Sequence, residues 1–540
     1  MMKKLLVLFF VFALMFAVVG CSQPQDGGAQ DEGVQEGEVQ DEGASQEPVI
    51  GGTLKLGVST EVSRIATWLL RSPQENFIWS TVYETLFVLD DEGEVTPNLA
   101  KSLEADPDNL TYTVTLRDDV YFSDGSHLDG AALLWNFENF KENSTVSARH
   151  FGDVESFEKT GDYTVVIHLE QWNSQIPFSL VENAGLMYSK KAFDDNGYDW
   201  CVENPVGTGP YVLEQWINGE TKLFVKNENY WKEDAVLYFD TIEFPIIPEE
   251  MTAQAAMLSG EIDGFYGPSY ATQSEMIDRG FQITRSQMRS MIVFLMFGSD
   301  VNVDSPLKDV RVRQAISYAI DSEAIAEDID RGLTYVSNQY AVPGTRFYSP
   351  EIEGYGYDPE KAKQLLADAG YEDGFVTTIY VGIDHPFRDY MVALQGYLKN
   401  VGIGVNLEFQ DVSLWSTVTM YEVEEGMALM GHGFGANLVN QMADNFSKRA
   451  IEGVGMLKYS KLHPDDLHDE IMAARSAKSE EEMYEHAHNA GKMIIDEYCL
   501  GYPLVMGAFA NVLLSKEIVD EHWIATNNDF FDYTRVYKVE

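Results

Sequence analysis

One long apolar run occurs in this 540-residue chain, Leu5 to Val19, and it ends before a bilayer could be crossed. A spanning helix needs about 20 apolar residues, and this run has 15. It follows Lys3 and Lys4, which gives the charged start and short apolar middle of a segment removed on export. No later run approaches membrane length, so the remainder is expected to fold in water around its own cores.

The end of the run, Val18-Val19-Gly20-Cys21, resembles the lipobox cut by lipoprotein signal peptidase. Gly20 is small enough for a narrow protease pocket, and the Cys21 thiol is the nucleophile that takes up a diacylglycerol. Residues 1–20 are therefore expected to be a signal peptide, with Cys21 lipidated; two lipid chains anchor stably where one does not. Ser22 to Pro48 carries eight acids, no base and hardly an apolar residue, so it cannot bury enough surface to order itself. Residues 21–49 are expected to form a disordered tether, whose 27-residue coil reaches roughly 30 Å.

The body from Ile50 to Glu540 holds 491 residues, too many for one core, and two or three domains are expected. The formal net charge is −50; without the two signal lysines and the eight tether acids, −44 remains on the body. That field repels phosphate backbones and argues against a nucleic-acid partner. Cys201 and Cys499 are expected to be two buried free thiols.

Elements alternate along the body. Thr53–Val58 and Thr111–Leu116 have strand composition, the second followed by the turn residues Arg117-Asp118-Asp119. Ala131–Lys141 has helical spacing, as does Val310–Asp328, with a stripe of Val312, Ala315, Ile316, Ala319, Ile320 and Ile325. Asp358-Pro359 starts a helix that ends at Gly370, and Pro464–Ile495 reads as a helical hairpin. Mixed strands and helices predict an α/β body. Gly207 and Gly209, beside Pro210, are expected to supply turn angles that other residues resist, and Asp124-Gly125 a further turn. Arg117 and Arg313 are expected to make ion pairs within a lobe.

Several blocks carry a resemblance in register: Val82-Tyr83-Glu84-Thr85-Leu86 into Thr96-Pro97-Asn98-Leu99-Ala100; Leu116-Arg117-Asp118-Asp119 to Phe122-Ser123-Asp124-Gly125; Asn204 to Tyr211; Asn229-Tyr230-Trp231; Gly260-Glu261-Ile262-Asp263; Leu307 to Ala315 with Tyr318-Ala319-Ile320-Asp321; Tyr357 to Tyr371; and Leu398 to Ile403. Together they resemble the large solute-binding proteins of peptide and nickel importers of the ABC type, extracellular family 5. The resemblance implies a two-lobed periplasmic-binding-protein fold of the large class II type, with an extra subdomain in lobe I. It implies lobe I at 50–90, 202–297 and 503–540, the subdomain at 91–201 and lobe II at 298–502. The crossings would fall near Phe297-Gly298 and Gly501-Tyr502-Pro503, and ligand would favour the closed state.

The same resemblance places Glu61, Tyr266, Tyr340, His432, Phe434 and Asn437 toward the cleft, with Trp415, Phe434 and Tyr340 as aromatic platforms. Peptide binders of the family usually read Trp-x-x-Asp-Tyr where this chain has Gly431-His432-Gly433-Phe434-Gly435-Ala436-Asn437. The family aspartate pairs with the peptide amine, and a buried ammonium needs such an anion. Here no acid occurs between Met427 and Gln441. Peptide stays the leading ligand class, with oligosaccharides and metal chelates as alternatives.

The chain shows no G-x-S-x-G, H-E-x-x-H or C-x-x-C, and Gly431–Ala436 matches G-x-G-x-x-G/A only as an isolated spelling. The expectation is a non-enzymatic monomer without cofactor or metal site. It would be tethered to the outer face of the cytoplasmic membrane by its lipid alone and would deliver a small solute to ABC permease subunits. A sensory lipoprotein without a transport role is the other possibility.

Overall fold

The computed structural model describes residues 47–540, apart from 71, 91–92, 145, 286–289, 300–302, 383–387, 412–425, 435–436, 451–461, 509–510, 522 and 524–529. Cys21 and Trp415 lie outside these. Pro48–Val49, expected in the tether, instead pairs antiparallel with the C-terminal strand Val536–Val539, so the ordered body begins earlier than Ile50.

Three sheets organise the α/β body. A seven-stranded sheet has the order Gln282–Arg285, Asn511–Leu514, Gly264–Tyr266, Thr53–Gly57, Thr241–Pro245, Thr221–Lys226, Tyr211–Ile217. Thr53–Gly57 runs parallel to both neighbours and buries Leu54 and Leu56 completely. A four-stranded antiparallel sheet joins Ala100–Asp106, Thr111–Leu116, Thr164–Leu169 and Val154–Lys159. Its Tyr112, Val114 and Leu116 point inward at the period of two that alternation predicts.

The third sheet has five strands in the order Ile403–Gln410, Phe375–Gly382, Met427–Phe434, Ser290–Phe297, Gly501–Ala508. The expected crossings, Phe297-Gly298 and Gly501-Tyr502-Pro503, fall at the end of one of its strands and the start of another. Ser290–Phe297 pairs antiparallel along its whole length with Met427–Phe434 and also with Gly501–Ala508. The continuous apolar run Ile292–Phe297 is buried throughout, as a central strand requires. The nearest strands of the seven-stranded sheet are Gln282–Arg285 and Asn511–Leu514.

Local expectations meet specific outcomes. The helix expected over Val310–Asp328 is two, Val310–Tyr318 and Ser322–Asp328, because Asp321 caps the second by accepting from the Ala324 N–H at 3.0 Å. Pro359–Asp368 is capped by Asp358, which accepts from the Lys361 N–H at 2.9 Å, and Gly370 follows at φ 88°. The hairpin forms as Asp465–Ser476 and Glu480–Lys492. Gly125 takes the positive φ of a turn, 76°. Gly207 and Gly209 do not; they are glycine because the chain passes so close that a Cβ on Gly207 would sit 2.1 Å from the Val82 carbonyl oxygen. Arg313 donates to the carbonyls of Cys499, Leu307, Lys308 and Tyr498 rather than to an acid. Arg117 does pair with an acid, Asp119. Both cysteines are buried and free.

Candidate functional site

Helix Leu438–Phe446 has two sides. Leu438, Val439, Met442, Ala443 and Phe446 make the apolar one; Asn440, Gln441, Asp444 and Asn445, preceded by Asn437, make a continuous polar arc. Such a helix normally turns its polar side to water. Here every residue of the helix, and Asn437, is buried. The polar side faces the short helices Ser147–Phe151 and Ile176–Ser179, which belong with the four-stranded sheet, and the hairpin helix Asp465–Ser476.

Half of the arc is tied into a charge network. Arg149 Nε reaches Asp444 Oδ2 at 3.3 Å, and the Asn440 amide donates to the Arg149 carbonyl at 3.3 Å. Arg475 donates to Asn440 Oδ1 at 2.8 Å and pairs with Asp153, on the far side of the seam. Asp153 also accepts from Gln171 at 2.7 Å and Asn173 at 3.0 Å, and Arg449 stands 3.7 Å away. Burial works to raise the Asp153 carboxyl, but Arg475, Gln171 and Arg449 outweigh it and hold it below the usual carboxylate range. For Asp444 burial prevails over the three arginines, and its carboxyl titrates above that range. Backbone contacts stitch the same seam: Ser174 N–H to the Arg475 carbonyl at 2.8 Å and Trp172 Nε1 to the Ala477 carbonyl at 2.7 Å.

The other half of the arc is left unsatisfied. Among the described residues, Asn437 Oδ1, Gln441 Oε1 and Asn445 Nδ2 are buried without a hydrogen-bond partner, and so is Gln175 Oε1 across the seam. Each orphaned atom costs about 1–3 kcal/mol. Their donor or acceptor partners elsewhere are few and long, such as Asn437 Nδ2 to Ser179 Oγ at 3.4 Å and Gln441 Nε2 to the Gly433 carbonyl at 3.3 Å. Four amides with open valence, three of them on one helix face, make a surface that can accept and donate hydrogen bonds to a polar guest.

Only part of the set expected from sequence meets at this seam. Asn437 does, as the first residue of the arc. Tyr340 packs against Phe446, at the other end of the helix, and edge-on to Phe294, as a buried member of the core. Glu61 is engaged elsewhere: it pairs with the buried Lys222 and accepts from the Gly219 N–H at 2.8 Å, which ties down a hairpin of the seven-stranded sheet. Tyr266 stacks on Phe77 at 4.6 Å inside that sheet's aromatic core. His432 and Phe434 stand in strand Met427–Phe434, opposite Ile292 and Ser290; their side chains lie outside the described residues. A helix does follow Gly431–Ala436, and the strand before it runs parallel to Phe375–Gly382 but antiparallel to Ser290–Phe297, a mixed setting unlike the all-parallel unit of a dinucleotide fold.

Asp153, Arg149, Arg449 and Arg475 were not foreseen. Asp153 and Arg475 are 322 positions apart, and no local pattern marks either. Asp444 and its amide neighbours did carry a signal, namely a polar helical face rich in Asn and Gln rather than in Lys and Glu.

The two principal sheets, the added antiparallel sheet and a polar seam between them define a two-lobed binding protein. Residues 94–451 match the bacterial extracellular solute-binding proteins, family 5 Middle, and the chain belongs to that family. It is 29% identical over 338 residues to the glutathione-binding protein GsiB of Salmonella paratyphi A, covering 61% of this chain and 64% of that one. It is 28% identical over 364 residues to the nickel-binding periplasmic protein of Escherichia coli K12, covering 63% and 67%. The chain thus spans about two thirds of the length of these relatives. In fold it resembles the ABC transporter substrate-binding protein CtaP of Listeria monocytogenes, with a TM-score of 0.79 at 22% identity over 91% of this chain and 100% of that one.

Proposed function

We propose that this chain is the lipid-anchored receptor of an ABC importer, which encloses a small polar solute between its lobes and hands it to permease subunits. The observation that carries the proposal is the buried polar face of Leu438–Phe446, with its unpartnered amides. A scaffold helix has no reason to bury the unsatisfied half of that face. A binding helix does, because the guest completes the hydrogen bonds.

Peptide or peptide-like solutes lead, since a peptide backbone alternates donors and acceptors as an amide row does. Oligosaccharides are the second reading, favoured by the same amides, which suit hydroxyl groups equally well. Ligand binding to the native state alone raises stability by RT ln(1 + [L]/Kd). A thermal-shift screen of peptides, oligosaccharides and metal chelates is expected to give at least one hit; silence at millimolar concentration would sink the proposal. Anchoring at Cys21 is tested apart from binding. Replacing Cys21 with Ser is expected to move the protein from the membrane fraction to the soluble one, and persistence in the membrane would rule out the lipid.

A further inference from the structure

Helix Glu250–Ser259 lies far from the seam in sequence and is unusual for the surface of a folded domain. Its ten residues, Glu-Met-Thr-Ala-Gln-Ala-Ala-Met-Leu-Ser, hold one charge, in a chain where 23% of residues are charged. The inner side is accounted for: Ala253, Ala256 and Met257 are buried in a small core with Phe265 and Leu513 of the seven-stranded sheet. The outer side is apolar too. Met251, Ala255 and Leu258 recur at helical spacing and face solvent, Met251 at 82% exposure and Leu258 at 49%. A surface helix normally turns charge to that side, and one that is apolar all round is built to be covered. The helix also borders a cavity of about 690 Å³, walled by Ile246, Ile247, Pro248, Thr252, Ala255 and Ile262. Stripe and cavity share Ala255 and so form one surface. Its rim carries Glu249 and Glu261, both exposed and in no ion pair among the described residues, while Lys55 at the same rim is held by Glu243 at 3.7 Å.

An occupant that fits is apolar at its tip and positive around it. A second copy of this chain would set the same acids against these, in a molecule of formal net charge −50, and an anionic lipid surface is repelled likewise. We infer that this surface docks a permease subunit, through an extracytoplasmic segment that seats an apolar side chain in the cavity and sets Lys or Arg against Glu249 and Glu261. The inference rests on the importer proposal and adds the surface by which the receptor meets its permease. The course of the chain favours it. The described chain starts at Glu47, 26 positions after Cys21, and runs at once into strand Thr53–Gly57, whose Lys55 borders the cavity. The surface therefore sits on the first strand after the proposed anchor, in a molecule held at the membrane where the permease lies.

The test is photo-crosslinking in intact cells, with p-benzoylphenylalanine in place of Met251 in one full-length chain and of Val376 in another. Val376 is a control, 68% exposed on the five-stranded sheet. The chain labelled at 251 is expected to join a polytopic permease subunit, and the chain labelled at 376 is not. Adding Glu249→Lys and Glu261→Lys to the first chain is expected to cut the yield at least about tenfold, with the melting temperature showing that the variant is folded. Crosslinking at 251 to another copy of this chain, to lipid or to nothing would overturn the inference, as would equal capture at 376 or an undiminished yield after the charge reversal. The importer reading is judged apart from the surface, by formaldehyde crosslinking of the wild-type chain, which does not depend on one face. A permease subunit captured by formaldehyde but not at 251 overturns the surface alone; none captured by either method overturns the importer reading with it.

Discussion

Two acids in this molecule, one largely and one fully buried, sit in opposite circumstances. Glu84, near the seven-stranded sheet, accepts from Thr208 Oγ1 at 2.9 Å, Trp231 Nε1 at 2.7 Å and Tyr230 Oη at 3.1 Å, and pairs with Lys232 at 3.2 Å. One acid meets one cation and three neutral donors. Asp153, at the seam, belongs to a network that among the described residues has more cations than acids, and whose adjoining helix face has orphaned amides. A complete network has nothing left to bind and holds a scaffold in one arrangement. An incomplete one retains open valence at the place where two parts of the chain meet. The contrast separates scaffold from site on hydrogen-bond accounting alone.

The largest expected effect comes from breaking the seam. Arg475→Met removes the main partner of Asp153 and leaves a buried carboxylate short of its cation, a loss of about 3–5 kcal/mol. Urea unfolding measures it. A loss below about 1 kcal/mol would mean that the seam is not closed over these residues in solution, and the comparison with Glu84 would collapse. Next in size is Glu84→Gln, which keeps the shape but weakens the interactions with Lys232 and three donors, at about 1–3 kcal/mol. Because that network is scaffold, the thermal shift caused by any ligand of the wild type should persist in this variant at unchanged size. Loss of the shift would give Glu84 a part in binding.

Much of the fold was legible because it is written locally. Alternation in Thr111–Leu116, the Asp358-Pro359 start and the Ala- and Glu-rich hairpin each depend on neighbours within a few residues. The split at Asp321 was within reach too, since an aspartate followed by Ser-Glu-Ala is an N-terminal signal. The strand boundaries at Ser290–Phe297 and Gly501–Ala508 were not, because an apolar run does not reveal which sheet will accept it. The site was harder still. Glu61 and Tyr266 were plausible by position, and pairing with Lys222 and stacking on Phe77 are both contacts made across more than a hundred residues of chain. Of the expected residues whose side chains are described, Asn437 alone reaches the seam, and its importance came from a helical face whose burial no periodicity could announce.

The third prediction uses pH to separate the two acids of the seam. The folded-state pKa of Asp153 is depressed, so its contribution is present above the unfolded value of about 3.9 and is lost as pH falls through the folded value. Asp444 is raised, so its charged form opposes folding: its contribution favours the native state below about 3.9 and fades as pH rises through the folded value. Melting temperatures recorded from pH 6 to pH 3 should therefore fall less steeply at the acid end for Asp153→Asn than for wild type. An Asp444→Asn chain should fall more steeply there, having lost the opposing term. Parallel curves for all three would show that neither carboxyl is perturbed in the folded state.

The smallest expected change in stability is also the sharpest test of what an orphaned amide is for. Gln441 holds a long hydrogen bond to the Gly433 carbonyl, while its Oε1 has no partner among the described residues. Removing a buried acceptor that is already unsatisfied relieves a cost instead of creating one, and methionine fills similar volume with a flexible apolar chain. Gln441→Met should then leave the unliganded protein within about 0.5 kcal/mol of wild type, where a scaffold glutamine with both ends engaged would lose considerably more. Binding should move the other way. A guest that donates to Oε1 loses that bond and meets an apolar surface, so affinity should fall by about tenfold for whichever probe the wild type accepts. Calorimetry on one preparation reads both quantities. Unchanged affinity at unchanged stability would make the open valence an idle feature of the helix, and the polar arc would need a structural explanation after all.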